Sequence, residues 1–166
     1  MATKTGGSIM LREIILTEEG QEELRIELER LETVKRAEVG ERIKNAREFG
    51  DISENSEYDD AKNEQAWLES RIAEINHILA NATVVEAPKR SNKVAIGNKV
   101  TVQTEGGAER QFTIVGIAEA DAARGKISNV SPMGAALLGA HKGDVVVAEG
   151  PTGKEIKMTI LKIGKK

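Results

Sequence analysis

Between residues 58 and 79 the seam positions Tyr58, Ala61, Gln65, Leu68, Ile72, Ile75 and Leu79 follow a strict alternation of threes and fours. That repeat puts one stripe on one side of an α-helix and requires another helix to cover it. A matching stripe lies upstream at Leu24, Leu28 and Leu31. Run in the opposite direction, Leu24 meets Leu79, Leu28 meets Ile75 and Leu31 meets Ile72, and every pair is symmetric about one point between residues 51 and 52. Gly50-Asp51 stands at that point, a turn signal independent of the periodicity. Val34, Val39, Ile43 and Ala46 extend the first stripe less regularly, with Gly40 a weak spot inside it. Proline is absent from residues 1–87 and good helix formers fill the interior. Thr17, just before Glu18-Glu19, is placed to cap the first helix. Each arm is roughly 30 residues, about 45 Å long, and carries its turn far from the rest of the chain. An intermolecular coiled coil satisfies the same stripes and is the rival arrangement.

The composition changes at residues 86–92 (EAPKRSN), which read as a linker. Short β-rich runs follow at 99–103, 111–115, 145–148 and 156–163, the last with clean alternation. Glu105-Gly106-Gly107-Ala108 and Pro151-Thr152-Gly153 supply turns between them. Ser131-Pro132 opens a short helix, serine at the cap and proline at the first position, with Ala135, Leu137 and Leu138 as its apolar face. The expected class is α+β: residues 1–13 as a flexible segment, 14–85 as an antiparallel helical coiled-coil hairpin with its tip near 50–56, 86–92 as linker, and 93–166 as an antiparallel sheet with a short helix.

Several chemistries are excluded. There is no cysteine, so disulfides, thiolate metal sites and cysteine nucleophiles are ruled out. His77 and His141 are too few for a histidine-rich metal site. Aromatic residues are only 2% of the chain, which removes the platforms for base stacking. No apolar run is long enough to cross a membrane, and residues 1–13 show no signal-peptide core. The expected location is the cytoplasm. Charge is divided unevenly: residues 1–85 hold 19 acidic and 11 basic groups, a balance of −8, and residues 86–166 hold 8 and 13, a balance of +5. Ordinary solubility accounts for this, and so do two halves that face different partners.

The tip draws the chemical interest. Glu48 to Ala61 contains six acids and no base. Glu57, Asp59 and Asp60 suit the start of the second helix. Asp51 and Glu54 have no such explanation, and two close carboxylates repel unless a cation arrives. Magnesium takes carboxylate oxygens while keeping several waters. Two carboxylates on an exposed turn leave most of its shell unfilled, so they serve better as added ligands to an ion held elsewhere. A plain solvated turn remains the other reading.

The segment from Ala46 to Tyr58 (AREFGDISENSEY) closely resembles the tip signature of bacterial transcript-cleavage factors, the GreA/GreB family, nearer the GreA branch. The first helix with its leucine stripe, the stretch Ser131 to Gly139 (SPMGAALLG) and Gly143-Asp144-Val145-Val146-Val147 resemble the same family. The resemblance implies a transcription elongation factor, itself no enzyme, that binds bacterial RNA polymerase and stimulates cleavage of backtracked nascent RNA. The resemblance also implies DNA binding. It implies an FKBP-like C-terminal domain that docks at the rim of the secondary channel, the hairpin entering the channel. Asp51 and Glu54 match the family's paired catalytic acids, sharing Mg2+ with the polymerase active site and binding none in the isolated protein. Asn55, Ser56, Glu57 and Tyr58 fall in the same motif as tip support, and Ser131, Pro132 and Met133 as polymerase docking. Arg42, Lys44 and Arg47 are the bases nearest the tip on the first helix. Lys44 and Arg47 are candidates to contact the RNA 3′ end, and Arg42 to do so or to pair with a neighbouring acid; surface ion pairs are the plainer role for all three. Lys35 and Arg36 form a second candidate pair farther back. The free protein is expected to be a monomer. A prolyl isomerase role is disfavoured, since Phe112 is the only aromatic residue beyond the linker. Rival readings are a non-cleaving relative that occupies the same channel, against which the intact Asp51 and Glu54 argue, and a polymerase-independent coiled-coil scaffold, which needs no paired acids.

Overall fold

The structure, a computed structural model, describes residues 13–48 and 56–165. Their contacts form two compact units: one from the residues up to Gly20 together with those from Ala82 onward, the other Gln21–Asn81.

The second unit is the helical hairpin. Its first arm runs through α1 (Glu18–Arg30), a π-helical turn at Leu31–Lys35 and α2 (Arg36–Glu48). Its second arm is α3 (Ser56–Asn81), 26 residues and about 39 Å long. Leu24, Leu31, Val39, Ile43 and Ala46 are buried on the first arm, facing Ala61, Leu68, Ile72, Ile75 and Ile78 on α3. Leu28, Tyr58, Gln65 and Leu79 are half-buried.

The π turn explains the irregular upstream stripe. It inserts one residue into the helical phase. The buried positions therefore step from Leu31 to Val39, eight residues, while α3 covers the matching span from Ile72 to Gln65 in seven. Val34, expected in the stripe, is instead rotated out and is 50% exposed. Gly40 lies on the open side of α2 with no neighbour within 4 Å of where a Cβ would stand.

The first unit begins with a parallel pair, β1 (Ile15–Thr17) and β2 (Thr83–Val85), in which Leu16 sits opposite Val84. Leu16 is fully buried. Gly116 lies directly against the Ile15 carbonyl, where any Cβ would collide with that oxygen. Thr17 caps α1 as expected, its Oγ1 accepting from the Gly20 N–H at 3.0 Å. The capping threonine is itself held from far along the chain. Glu119 accepts from the Thr17 N–H at 2.7 Å and from the Thr17 hydroxyl at 2.6 Å.

Residues 86–92 carry neither helix nor strand. Beyond them β3 (Asn98–Thr104), β4 (Glu109–Val115), β5 (Lys126–Ser128), β6 (Val145–Glu149) and β7 (Glu155–Lys165) form one sheet in the order β5-β4-β3-β7-β6. All neighbours are antiparallel except β4 and β5, which run parallel, so the expected antiparallel sheet is a mixed one. Gly107 and Gly153 close the two expected turns with φ of +83° and +80°. α4 (Pro132–Leu137) follows the Ser131 cap, whose Oγ accepts from the Gly134 N–H at 3.1 Å. The core joins Val94, Val100, Val102, Ile114, Leu137, Ala148, Met158 and Ile160. Leu137 is buried as expected, but Ala135 and Leu138 are exposed and the buried face is completed by Gly134. The Ser128 carbonyl packs so closely on Gly134 that no side chain fits there.

The expected clean alternation of the last strand breaks at a bulge. β3 pairs Thr101 with Lys162 but Val102 with Ile160, leaving Leu161 as the extra residue. Even positions point to the core before the bulge (Ile156, Met158, Ile160) and Ile163 does so after it.

Candidate functional site

The expected tip acids Asp51 and Glu54, with Asn55, lie outside the described residues, in the segment joining α2 to α3. The structure describes what holds that segment on either side. α2 ends at Glu48 and α3 begins at Ser56, and the last buried contacts before the join are Ile43 and Ala46 on one arm and Ala61 on the other. Ser56 and Glu57 are exposed in the first turn of α3, and Tyr58 is half-buried. The Arg47 guanidinium lies 5.8 Å from the centre of the Tyr58 ring, within cation–π reach. Tyr58 and Arg47 thus brace the two arms against each other beside the tip.

The three bases nearest the tip differ in their freedom. Arg42 is committed to acids: it donates to Glu57 through Nη2 at 2.7 Å and Nε at 3.1 Å, and pairs with Glu64 through Nη1. Hydrogen bonding to Glu57 holds its guanidinium above the ordinary value. Lys44 is exposed and, among the described residues, makes no ion pair. Arg47 is exposed over Tyr58. Glu57, from the tip motif, serves as the Arg42 partner and so clamps one arm to the other.

Farther back, Lys35 and Arg36 are engaged. Lys35 lies 3.5 Å from Glu38 and 3.9 Å from Glu64. Arg36 makes a two-pronged pair with Glu69 at 2.8 and 2.9 Å. Arg71 does the same with Glu27 at 2.7 and 3.0 Å and adds Glu74, hydrogen bonding to Glu27 raising its pKa. These pairs fasten the flanks of the stalk while its seam supplies the apolar contact.

Among the described residues, no group of three or more His, Asp or Glu side chains is placed to hold a metal ion. The donor chemistry of Asp51 and Glu54 suits magnesium, a hard cation that prefers carboxylate oxygen, but two carboxylates leave most of its shell to other donors. In the first unit, Ser131 is engaged at the helix cap, Pro132 is exposed, and Met133 packs partly against the core. Val130, beside them, is 59% exposed. Sequence reading passed over Glu119, since no periodicity or motif marks a carboxylate whose partner is so distant.

Comparison with known proteins covers nearly the whole chain. A family description of a transcription elongation factor N-terminal domain fits residues 14–84, and one of the GreA/GreB transcription elongation factor C-terminal domain fits residues 88–165. Transcription elongation factor GreA of Thermoanaerobacter pseudethanolicus is 54% identical over 158 residues, 94% of this chain and 100% of that one. GreA of Staphylococcus carnosus is 51% identical over 149 residues, 89% and 93% of the two chains. A solved structure of GreA factor homolog 1 of Thermus thermophilus is 32% identical, covers 92% of this chain and 99% of its own, and has a TM-score of 0.42.

Proposed function

The chain belongs to the GreA/GreB family of transcription elongation factors, and from that premise we propose that it is an accessory factor that stimulates RNA polymerase to cleave backtracked nascent RNA. The observation that carries this reading is the hairpin, a seam-packed and ion-pair-braced stalk whose two arms are joined in sequence by the segment holding Asp51 and Glu54. A stalk about 39 Å long suits the delivery of two carboxylates into a narrow channel.

In this reading the first unit docks at the rim of the secondary channel, with Ser131, Pro132 and Met133 at the contact, and the tip reaches the active centre. A second magnesium ion bound there would stabilise charge on the reacting phosphoryl group and make water a better nucleophile. Asp51 and Glu54 would hold that ion together with polymerase donors. Differing by one methylene, the two carboxylates would reach the ion from different distances and would also help position the attacking water. Asn55, Ser56 and Tyr58 keep the acids oriented. Lys44 and Arg47 lie on the outer side of α2 and meet the displaced RNA 3′ end by charge alone, whereas Arg42 is occupied in bracing the arms. The protein works in the cytoplasm as a monomer when free.

The test is to incubate labelled RNA with the protein alone, with backtracked polymerase alone, and with both, in magnesium. The reading expects no hydrolysis by the protein alone and release of 3′ fragments accelerated only when both are present. Equal rates with and without the protein, at concentrations where it binds polymerase, would overturn it.

A further inference from the structure

On the face of the five-stranded sheet opposite the core, Lys99, Thr101, Gln111, Lys162 and Gly164 line a cleft of about 180 Å3. We propose that this cleft binds a phosphate group of a polynucleotide backbone, giving the C-terminal unit its own nucleic-acid contact.

The strand register builds the cleft. Thr101 lies between Gln111 on β4 and Lys162 on β7, and Lys99 lies beside Gly164 one step along. Lys162 therefore stands diagonally next to Lys99, near enough for both side chains to reach one group. The bulge at Leu161 is what brings them together. Before it, the odd positions of β7 face outward, and without the extra residue Lys162 would point into the core. Gly164 leaves the floor open, with nothing within 4 Å of its Cβ position.

The chemistry is that of an anion site. The lining holds two ammonium groups, a hydroxyl and a carboxamide, all able to donate, and no carboxylate. Among the described residues neither lysine side chain has an ion pair or hydrogen bond, unlike Arg36, Arg42 and Arg71 on the stalk. Like charges held this close favour a shared counter-charge. The chain's own two-pronged carboxylate pairs use arginine, the side chain that suits planar carboxylates, while lysine serves phosphate as a point charge. The volume lies below the roughly 300–1,000 Å3 of sites that enclose whole small molecules. It admits a phosphate group and leaves sugar and base outside. Lys162 is exposed and Lys99 half-buried, so salt screens the pair and a lone phosphate ion gains little there, whereas a backbone adds neighbouring charges. With no aromatic residue in the lining, the contact is independent of base sequence. The polynucleotide source rests on the proposed role in transcription; the anion site does not.

The experiment is fluorescence anisotropy of labelled oligouridylate with the full chain, over a range of salt, for the parent, Lys99→Gln/Lys162→Gln, and Lys142→Gln/Lys154→Gln as an equal charge loss elsewhere. Amide NMR shifts with inorganic phosphate alone and with an oligoglutamate peptide complete it. The expected result is a several-fold affinity loss confined to the cleft variant, with the slope of log affinity against log salt flattening by roughly 0.7 for one phosphate contact. Equal losses in the two double variants, no loss in either, or shifts at Thr101 and Gln111 with inorganic phosphate or oligoglutamate that oligouridylate does not produce would each overturn it. Amide spectra establish that the variants are folded. Polymerase is absent, so failure here leaves the cleavage reading standing, and the reverse.

Discussion

Glu119 reaches Thr17 across 102 positions of sequence and receives both its backbone N–H and its hydroxyl. The Thr17 oxygen in turn accepts from Gly20 at the first turn of α1, so one distant carboxylate sets the geometry of a helix cap. A carboxylate at a helix N-terminus is favoured by the unpaired N–H groups there. Replacing Glu119 by alanine leaves two donors without their acceptor and should cost about 1–3 kcal/mol, read as a lower denaturant midpoint with an unchanged slope. Glu119→Gln, which keeps one acceptor oxygen, should lose less; an equal loss for both variants would place the effect elsewhere. Glu69 gives a pH dependence of definite sign. Hydrogen bonding to Arg36 holds its carboxyl below the ordinary value. The contribution is thus complete above the unfolded value of about 4.3 and is lost as pH falls through the lower folded value. The pair is exposed, so the effect is small and salt-sensitive. Acid melts should show Glu69→Gln losing less stability than the parent over that window, and parallel curves would contradict the assignment.

At the scale of elements, the hairpin was legible because its seam repeats and because Gly50-Asp51 coincides with the midpoint of the pairing. Both caps were legible too, since Thr17 and Ser131 act through side chains near in sequence. Three features were not. The π turn was hidden because one inserted residue leaves an apolar residue, Val34, where a regular helix would bury it. The bulge at Leu161 was hidden because Ile160, Leu161 and Ile163 are all apolar and cannot reveal a change of parity. The β1–β2 ribbon was hidden because two three-residue strands at opposite ends of a hairpin carry no local signal for each other. The π turn yields its own prediction. Deleting Val34 returns the first arm to the same three-and-four repeat as α3, so helicity by circular dichroism should persist and the thermal midpoint should rise. A fall in either would show that the extra residue is needed for packing.

For the whole molecule, what was readable divides between anatomy and chemistry. Fold class and most strands follow from patterns that any chain with this packing must carry, whereas the family followed from the resemblance carried by residues 46–58 and 131–139. The candidate chemistry rests on Asp51 and Glu54, whose meaning depends on a second protein. Physical reasoning from the chain alone reaches only the statement that two carboxylates make an incomplete magnesium site. The division of charge, −8 before residue 86 and +5 after it, agrees with the two proposals: acids carried by the stalk, and a basic body whose Lys99 and Lys162 side chains, among the described residues, make no ion pair.

The most direct test compares the parent with Asp51→Ala/Glu54→Ala in a stalled, backtracked bacterial RNA polymerase complex with magnesium, following release of RNA 3′ fragments while polymerase binding is measured alongside. The account predicts prompt cleavage with the parent and cleavage reduced to the level of polymerase alone with the double variant, at undiminished binding. Undiminished cleavage by the double variant, or no stimulation by a parent that demonstrably binds, would contradict it.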